Sequence, residues 1–124
     1  MKRFLLCLFI LFSANAALAQ TATPITFEGD RTSAMVAGKV PEGSMQVFTL
    51  EAWQNAAVGF YLMSAERNAD FEVMDPNNNL VAKGSPDKFG AQEWKGQLGR
   101  AGTYTVVVFS TAGLADFQLT VTMP

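Results

Sequence analysis

Few residues in this chain are of a type that does chemistry, and their spacing narrows the options further. The sequence has no histidine, and its one cysteine, Cys7, lies near the start. That excludes a disulfide framework, zinc-finger-type sites, Cys or His nucleophiles and a Ser-His-Asp triad. Ser85 and Ser110 have no histidine to activate them. Glu66 and Asp70 make an acid pair, but no base, nucleophile or metal cluster accompanies them, so the chain reads as a non-enzyme. The run Asp75-Pro76-Asn77-Asn78-Asn79 is dense in oxygen ligands, with Asp70 and Asp87 not far away in sequence. Asp70, Asp75 and Asn77 are therefore calcium candidates. The spacing, however, lacks the alternating acids and the distal bidentate Glu of a dedicated loop. Asp-Pro-Asn-Asn is also an ordinary turn, in which Pro fixes φ and Asn accepts the left-handed region. No metal or other cofactor is expected.

Binding chemistry is better represented. Trp53 follows the run Phe48, Leu50, Ala52 with the wrong parity for that face. An indole at a loop edge offers a large rigid apolar area and one N–H donor, for a protein contact or a sugar. The polar connection Gly84-Ser85-Pro86-Asp87-Lys88-Phe89-Gly90 carries an out-of-pattern aromatic, so Asp87, Lys88 and Phe89 are contact candidates. Lys88 and Arg100 are the cations suited to pairing with a partner's carboxylate. Gly102 and Tyr104 have a structural reading as well as a binding one. Glycine supplies positive φ in a turn, and a tyrosine opening a late strand can bury its ring while its hydroxyl bonds nearby backbone.

The elements that must position these residues are strands. Ala34, Val36 and Gly38 share one parity; so do Phe48, Leu50 and Ala52, then Val58, Phe60 and Leu62. Phe71 with Val73, residues 80–83, then Trp94, Gly96 and Leu98 follow. Tyr104, Val106, Val108 and finally Phe117, Leu119, Val121 complete the series. Period two marks strands with one buried face. Turn-forming residues separate the runs at 41–44, 54–55, 67–68, 75–79, 85–87, 98–102 and 112–113. Short strands at such regular spacing predict an all-β protein, a single antiparallel β-sandwich of about seven to nine strands spanning residues 34–124. Residues 20–33 form an extended lead-in. Met35, Met45, Met63, Met74 and Met123 are expected to fill gaps in the core, and Lys83, Lys88 and Lys95 to protect sheet edges.

Residues 1–19 have the layout of a secretion signal. Lys2 and Arg3 give a positive start, residues 4–12 an apolar run, and Ala17-Leu18-Ala19 a small-x-small cleavage site. Nine strongly apolar residues are too few to cross a hydrocarbon core of about 30 Å as a helix, so no membrane anchor is expected after cleavage. The expected destination is the periplasm or the medium. Cleavage removes only those two charges, taking the formal net from −2 to −4. A mildly acidic chain argues against nucleic acid as a partner.

The runs Gly38-Lys39-Val40, Gln46 to Ala52, Asp70 to Asn77, and Leu98 with Gly102 to Val108 resemble the bacterial pre-peptidase C-terminal (PPC) domain. They are also similar to the PPC-like g-type lysozyme inhibitors of the periplasm, over about residues 34–122. The resemblance implies a Greek-key sandwich and a partner that is a protein, such as a lysozyme, or a cell-envelope polymer. Those inhibitors carry a Ser-Gly-x-Tyr-like motif leading into a late strand. Here the positions read Ala101-Gly102-Thr103-Tyr104, with alanine in place of the serine hydroxyl. Calcium binding near the N-terminus of some PPC domains implies a further candidate in Glu28-Gly29-Asp30.

The expected function is that of a non-enzymatic secreted or periplasmic binding protein, in its sharpest form a lysozyme-inhibitor-like protein whose loops block an enzyme cleft. The alternative is a stand-alone PPC-like polymer- or carbohydrate-binding accessory module, with Trp53 and Phe89 as aromatic platforms.

Overall fold

The computed structural model describes residues 21–124, so the expected signal segment and Cys7 lie outside the described residues. Ten strands follow in order: β1 (Thr23–Pro24), β2 (Ser33–Val40), β3 (Met45–Ala52), β4 (Ala56–Ser64), β5 (Ala69–Met74), β6 (Leu80–Lys83), β7 (Ser85–Pro86), β8 (Gln92–Leu98), β9 (Gly102–Ser110) and β10 (Ala115–Thr122). They form two five-stranded sheets, ordered β1-β3-β9-β5-β6 and β2-β10-β4-β8-β7. Every pairing between strands is antiparallel except the two-residue contact of β1 with β3, which is parallel. The all-β sandwich expected from the alternation is what forms.

The alternation decides which side chains meet. Phe48, Leu50, Phe71, Val73, Val106 and Val108 point inward from the first sheet; Val58, Phe60, Leu62, Phe117, Leu119 and Val121 point inward from the second. Across the gap, Phe48 meets Phe117 edge-on at 6.2 Å between ring centroids, and Phe60 meets Phe71 at 5.7 Å. Each such side chain contributes roughly 1.5–3 kcal/mol through removal from water. Trp94 packs from the side against Phe60 at 6.1 Å and stays half-buried.

The methionines depart from expectation. Met123 is buried, but Met35, Met45 and Met63 are 61%, 55% and 50% exposed. Each sits at the outward parity of its strand, whose inward set includes Val36, Phe48 and Leu62 respectively. Sheet pleat outweighs hydrophobicity there.

Strand direction sorts the loops into two ends. β3 finishes where β9 begins, Ala52 opposite Gly102, and β4 starts there opposite the finish of β8, Ala56 against Leu98. The turns at 53–55, 75–79 and 99–101 therefore share one end, called here the Trp53 end. Turns 41–44, 65–68, 84–91 and 111–114 share the other, the Phe89 end.

A polar knot closes the Phe89 end. Asn68 is buried, and its Nδ2 donates to the carbonyls of Ala112 (2.8 Å) and Leu114 (3.0 Å). Its own N–H donates to Ser64 Oγ and its carbonyl accepts from the N–H of Thr111. One side chain thus ties the β4–β5 turn to the β9–β10 turn, 44 and 46 residues away. Removing it leaves two carbonyls without their donor in a half-closed site. Asn68→Ala is expected to lower unfolding free energy by about 1–3 kcal/mol in a denaturant titration, whereas an effect inside experimental scatter would show the knot to be idle.

Candidate functional site

At the Trp53 end, the turn after β3 and the turn before β9 leave the sandwich side by side, because Ala52 and Gly102 are register partners. Trp53 caps the first turn and is 57% exposed. Arg100 caps the second, with a side chain 64% exposed. The first turn is closed by the Ala56 N–H on the Trp53 carbonyl at 3.2 Å, and the second is braced from below. The buried Tyr104 hydroxyl donates to the Arg100 carbonyl at 2.8 Å and accepts the Arg100 N–H at 3.2 Å, so that it clamps one residue's backbone from both sides. This is the tyrosine-corner geometry. Tyr104 thus serves the site from beneath and presents no surface of its own.

Gly102 is held by two constraints. Its φ is +138°, and a Cβ there would lie 2.8 Å from Pro76 Cγ. The 75–79 turn therefore leans directly on the 99–102 turn. Asp75 organises that turn through its Oδ1, which accepts the N–H groups of Asn77 (2.8 Å) and Asn79 (2.9 Å), while Asn78 takes φ 66°. Its Oδ2 lies 3.9 Å from Arg100 Nε, a loose ion pair. The Asn79 N–H, helped by that of Asn77 and by the Arg100 guanidinium, holds the Asp75 carboxyl below the usual carboxylate range against the opposing effect of burial. A depression of about 240 Å³ opens between Asp75, Val81, Gln97 and Arg100.

Asp87, Lys88 and Phe89 come together at the opposite end. Phe89 is 70% exposed, and Lys88 Nζ lies 5.5 Å from the centre of its ring. Asp87 is the loop's organiser: Oδ1 accepts from the N–H groups of Phe89 and Ala91, and Oδ2 accepts from the Tyr61 hydroxyl at 3.2 Å. Burial works to raise its pKa, but those N–H groups, the Tyr61 hydroxyl and the N–H of Gly90 outweigh it and lower the carboxyl. Burial and the Asp87 charge push the Tyr61 phenol up in turn.

The seven binding candidates accordingly fall into two groups, Trp53, Arg100, Gly102 and Tyr104 at one end and Asp87, Lys88 and Phe89 at the other. No single partner surface of ordinary curvature takes in both. The two aromatic platforms, Trp53 and Phe89, are separated in the same way. The calcium candidates separate too: Asp70 is the second residue of β5 and Asp75 follows its last, with Asn77 beyond. Among the described residues no three His, Cys, Asp or Glu side chains cluster as metal ligands. Burial pushes the Asp70 pKa up, more than the Phe71 N–H and Lys83 pull it down.

Sequence reasoning missed Tyr61 as the holder of Asp87. It also missed a shallow depression of about 600 Å³ on the outer face of the second sheet, floored by Ala57 and Gly59 and flanked by Tyr61, Lys95 and Thr120. Small residues at outward positions of the central strand β4 were the available signal for it.

No family model matches the sequence, and no curated protein is similar to it. Solved structures are. The periplasmic inhibitor of g-type lysozyme PliG from Aeromonas hydrophila superposes with a TM-score of 0.71 at 22% identity, over 84% of this chain and 96% of that one. The pre-peptidase C-terminal domain of a Bacillus anthracis collagenase gives 0.68 at 15% identity, over 82% and 95%. PliG from Salmonella Typhimurium gives 0.65 at 14%, over 85% and 99%. The chain has the PPC-like sandwich fold.

The carboxylates make the acid limb of stability testable. Asp75 and Asp87, with lowered folded pKa values, add stability that is present above the unfolded value of about 3.9 and lost as pH falls through the folded values. Asp70, with a raised value, contributes the reverse sign: its share is present below about 3.9 and lost as pH rises through its folded value. Thermal melts between pH 2 and 6 are expected to give a shallower rise of Tm with pH in Asp75→Asn than in the parent, and a steeper one in Asp70→Asn. Identical slopes in all three would refute the assignment.

Proposed function

We propose that this protein is a non-enzymatic, secreted or periplasmic binding protein that blocks an enzyme's substrate cleft with the loops of its Trp53 end, as a lysozyme inhibitor does. The observation that carries this reading is the exposure of Trp53 and Arg100 on adjacent turns, the first closed by a backbone hydrogen bond and the second clamped by Tyr104. A rigid aromatic anchor beside a guanidinium is a common centre of strong protein contacts. Fixing the turns before binding reduces the ordering cost that association otherwise incurs. Arg100 is loosely engaged with Asp75, and an exposed pair at that distance stabilises the fold very little. Its guanidinium can therefore exchange Asp75 for a carboxylate in the partner's cleft at small cost, with the fork geometry suited to that group.

The PliG neighbours, described as periplasmic inhibitors of g-type lysozyme, support a lysozyme as the partner and the periplasm as the compartment. The signal-like layout of residues 1–19 agrees with export. Where those inhibitors have serine, Ala101 supplies no hydroxyl, so recognition here leans on Trp53 and Arg100 rather than on a side-chain hydrogen bond from position 101.

Titrating g-type, c-type and i-type lysozymes with a molar excess of the protein is expected to slow lysis by one class. Arg100→Ala should then weaken inhibition roughly tenfold, the loss of about 1.4 kcal/mol, and Lys88→Ala should leave it unchanged. Undiminished lysis by all three classes would reject the reading, and equal losses in the two variants would reject the choice of end.

A further inference from the structure

Sheet edges are where a β protein is exposed to unwanted pairing, and they are usually shortened, charged or interrupted by proline. Three of the four edges here follow that rule. β1 has two residues and includes Pro24; β7 has two and includes Pro86; β6 has four and ends in Lys83. The fourth edge, β2, has eight residues, Ser33–Val40, with no proline and one charge, Lys39. We infer that β2 is a self-association strand, pairing antiparallel with β2 of a second copy so that two five-stranded sheets become one continuous sheet.

The hydrogen-bond pattern sets out what the edge offers. Gln46 Nε2 donates to the Lys39 carbonyl at 3.0 Å, so the backbone of residue 39 points away from β10. Antiparallel strands alternate, one residue bonding to one side and the next to the other. The N–H and C=O groups of Ser33, Met35 and Ala37 therefore point to the same open side, and they have no partner among the described residues. Lys39, whose carbonyl is already engaged, bounds the usable stretch.

Those three positions are symmetric about Met35. A two-fold pairing centred there sets Ser33 opposite Ala37 and Met35 opposite its own copy. It forms about six cross-strand hydrogen bonds, two for each directly opposed pair. Met35, a large apolar side chain 61% exposed, is then covered by its counterpart. A cleft of about 640 Å³ runs between Ser33–Met35 and the turn carrying Glu28, Asp30 and Arg31. In this register Lys39 of the second copy arrives opposite Arg31, with Glu28 and Asp30 on the same turn, so the end of the paired stretch carries both signs. Closed two-fold pairing uses the edge up, and so ends at a dimer.

Sedimentation velocity on the exported protein, from about 1 µM to about 500 µM, should show a reversible monomer–dimer equilibrium. Ala37→Pro removes an outward N–H from an edge strand, where proline is tolerated, and should weaken association at least roughly tenfold with melting unchanged. Amide exchange on the unaltered chain gives an independent reading: protection at Met35 and Ala37 should rise with concentration, while protection at Val36, which faces β10, should not. A monomer throughout, with exchange independent of concentration, overturns the inference. So does a dimer that survives Ala37→Pro intact.

Discussion

The contact of Phe48 with Phe117 and of Phe60 with Phe71 across the gap between sheets is the interaction on which the rest depends. No cysteine is present after Cys7, so no covalent staple holds the sheets together. A domain of this length buries enough apolar area to stand without one, provided the two inner faces interlock. Interlocking in turn demands that each strand keep its parity along its length. That demand explains why three methionines are turned to solvent. Pulling Met35, Met45 or Met63 inward would send Val36, Phe48 or Leu62 outward.

Against that rigid core, the loops are held by a second device, side chains bonded to backbone. Asp75 gathers two N–H groups, Asp87 two more, Asn68 two carbonyls, and Tyr104 both polar groups of Arg100. Each uses one residue to fix a turn that has no strand partner. The side chains of Arg100 and Phe89 are thereby exposed while their backbones are constrained, and Trp53 is exposed on a neighbouring turn closed by its own backbone hydrogen bond. This division of labour suits recognition, because the entropy of the loop is already spent when a partner arrives. It also explains why aspartates that resemble calcium ligands in the sequence have other employment. Asp75 Oδ1 is taken by Asn77 and Asn79, and Asp87 by Phe89, Ala91 and Tyr61.

Strand positions were legible because alternation and punctuation are local. Each of the eight alternating runs read from the sequence falls within a single strand, β2 to β6 and β8 to β10. The two strands not foreseen, β1 and β7, are two residues long and contain proline, so neither has room for a period-two pattern. The tyrosine corner was also readable, since Gly102 and Tyr104 lie within one turn. What alternation cannot say is which end of the sandwich a loop occupies. Trp53 and Arg100 are 47 positions apart and share an end because β3 pairs with β9; Phe89 lies nearer to Arg100 in the chain yet emerges at the far end. Strand order in the sheets, a long-range property, decides the composition of the site.

The two tryptophans occupy contrasting surroundings, and this gives the molecule an optical consequence. Trp53 is exposed at the tip of a turn, whereas Trp94 is half-buried against Phe60. An indole in water emits to the red and is open to collisional quenchers; one against a phenylalanine ring is shielded and emits to the blue. The spectrum of the native protein is thus a sum of two separable signals, one sensitive to whatever covers the Trp53 end and one sensitive to the integrity of the core. Binding and unfolding leave different marks on the same emission band, with no label attached.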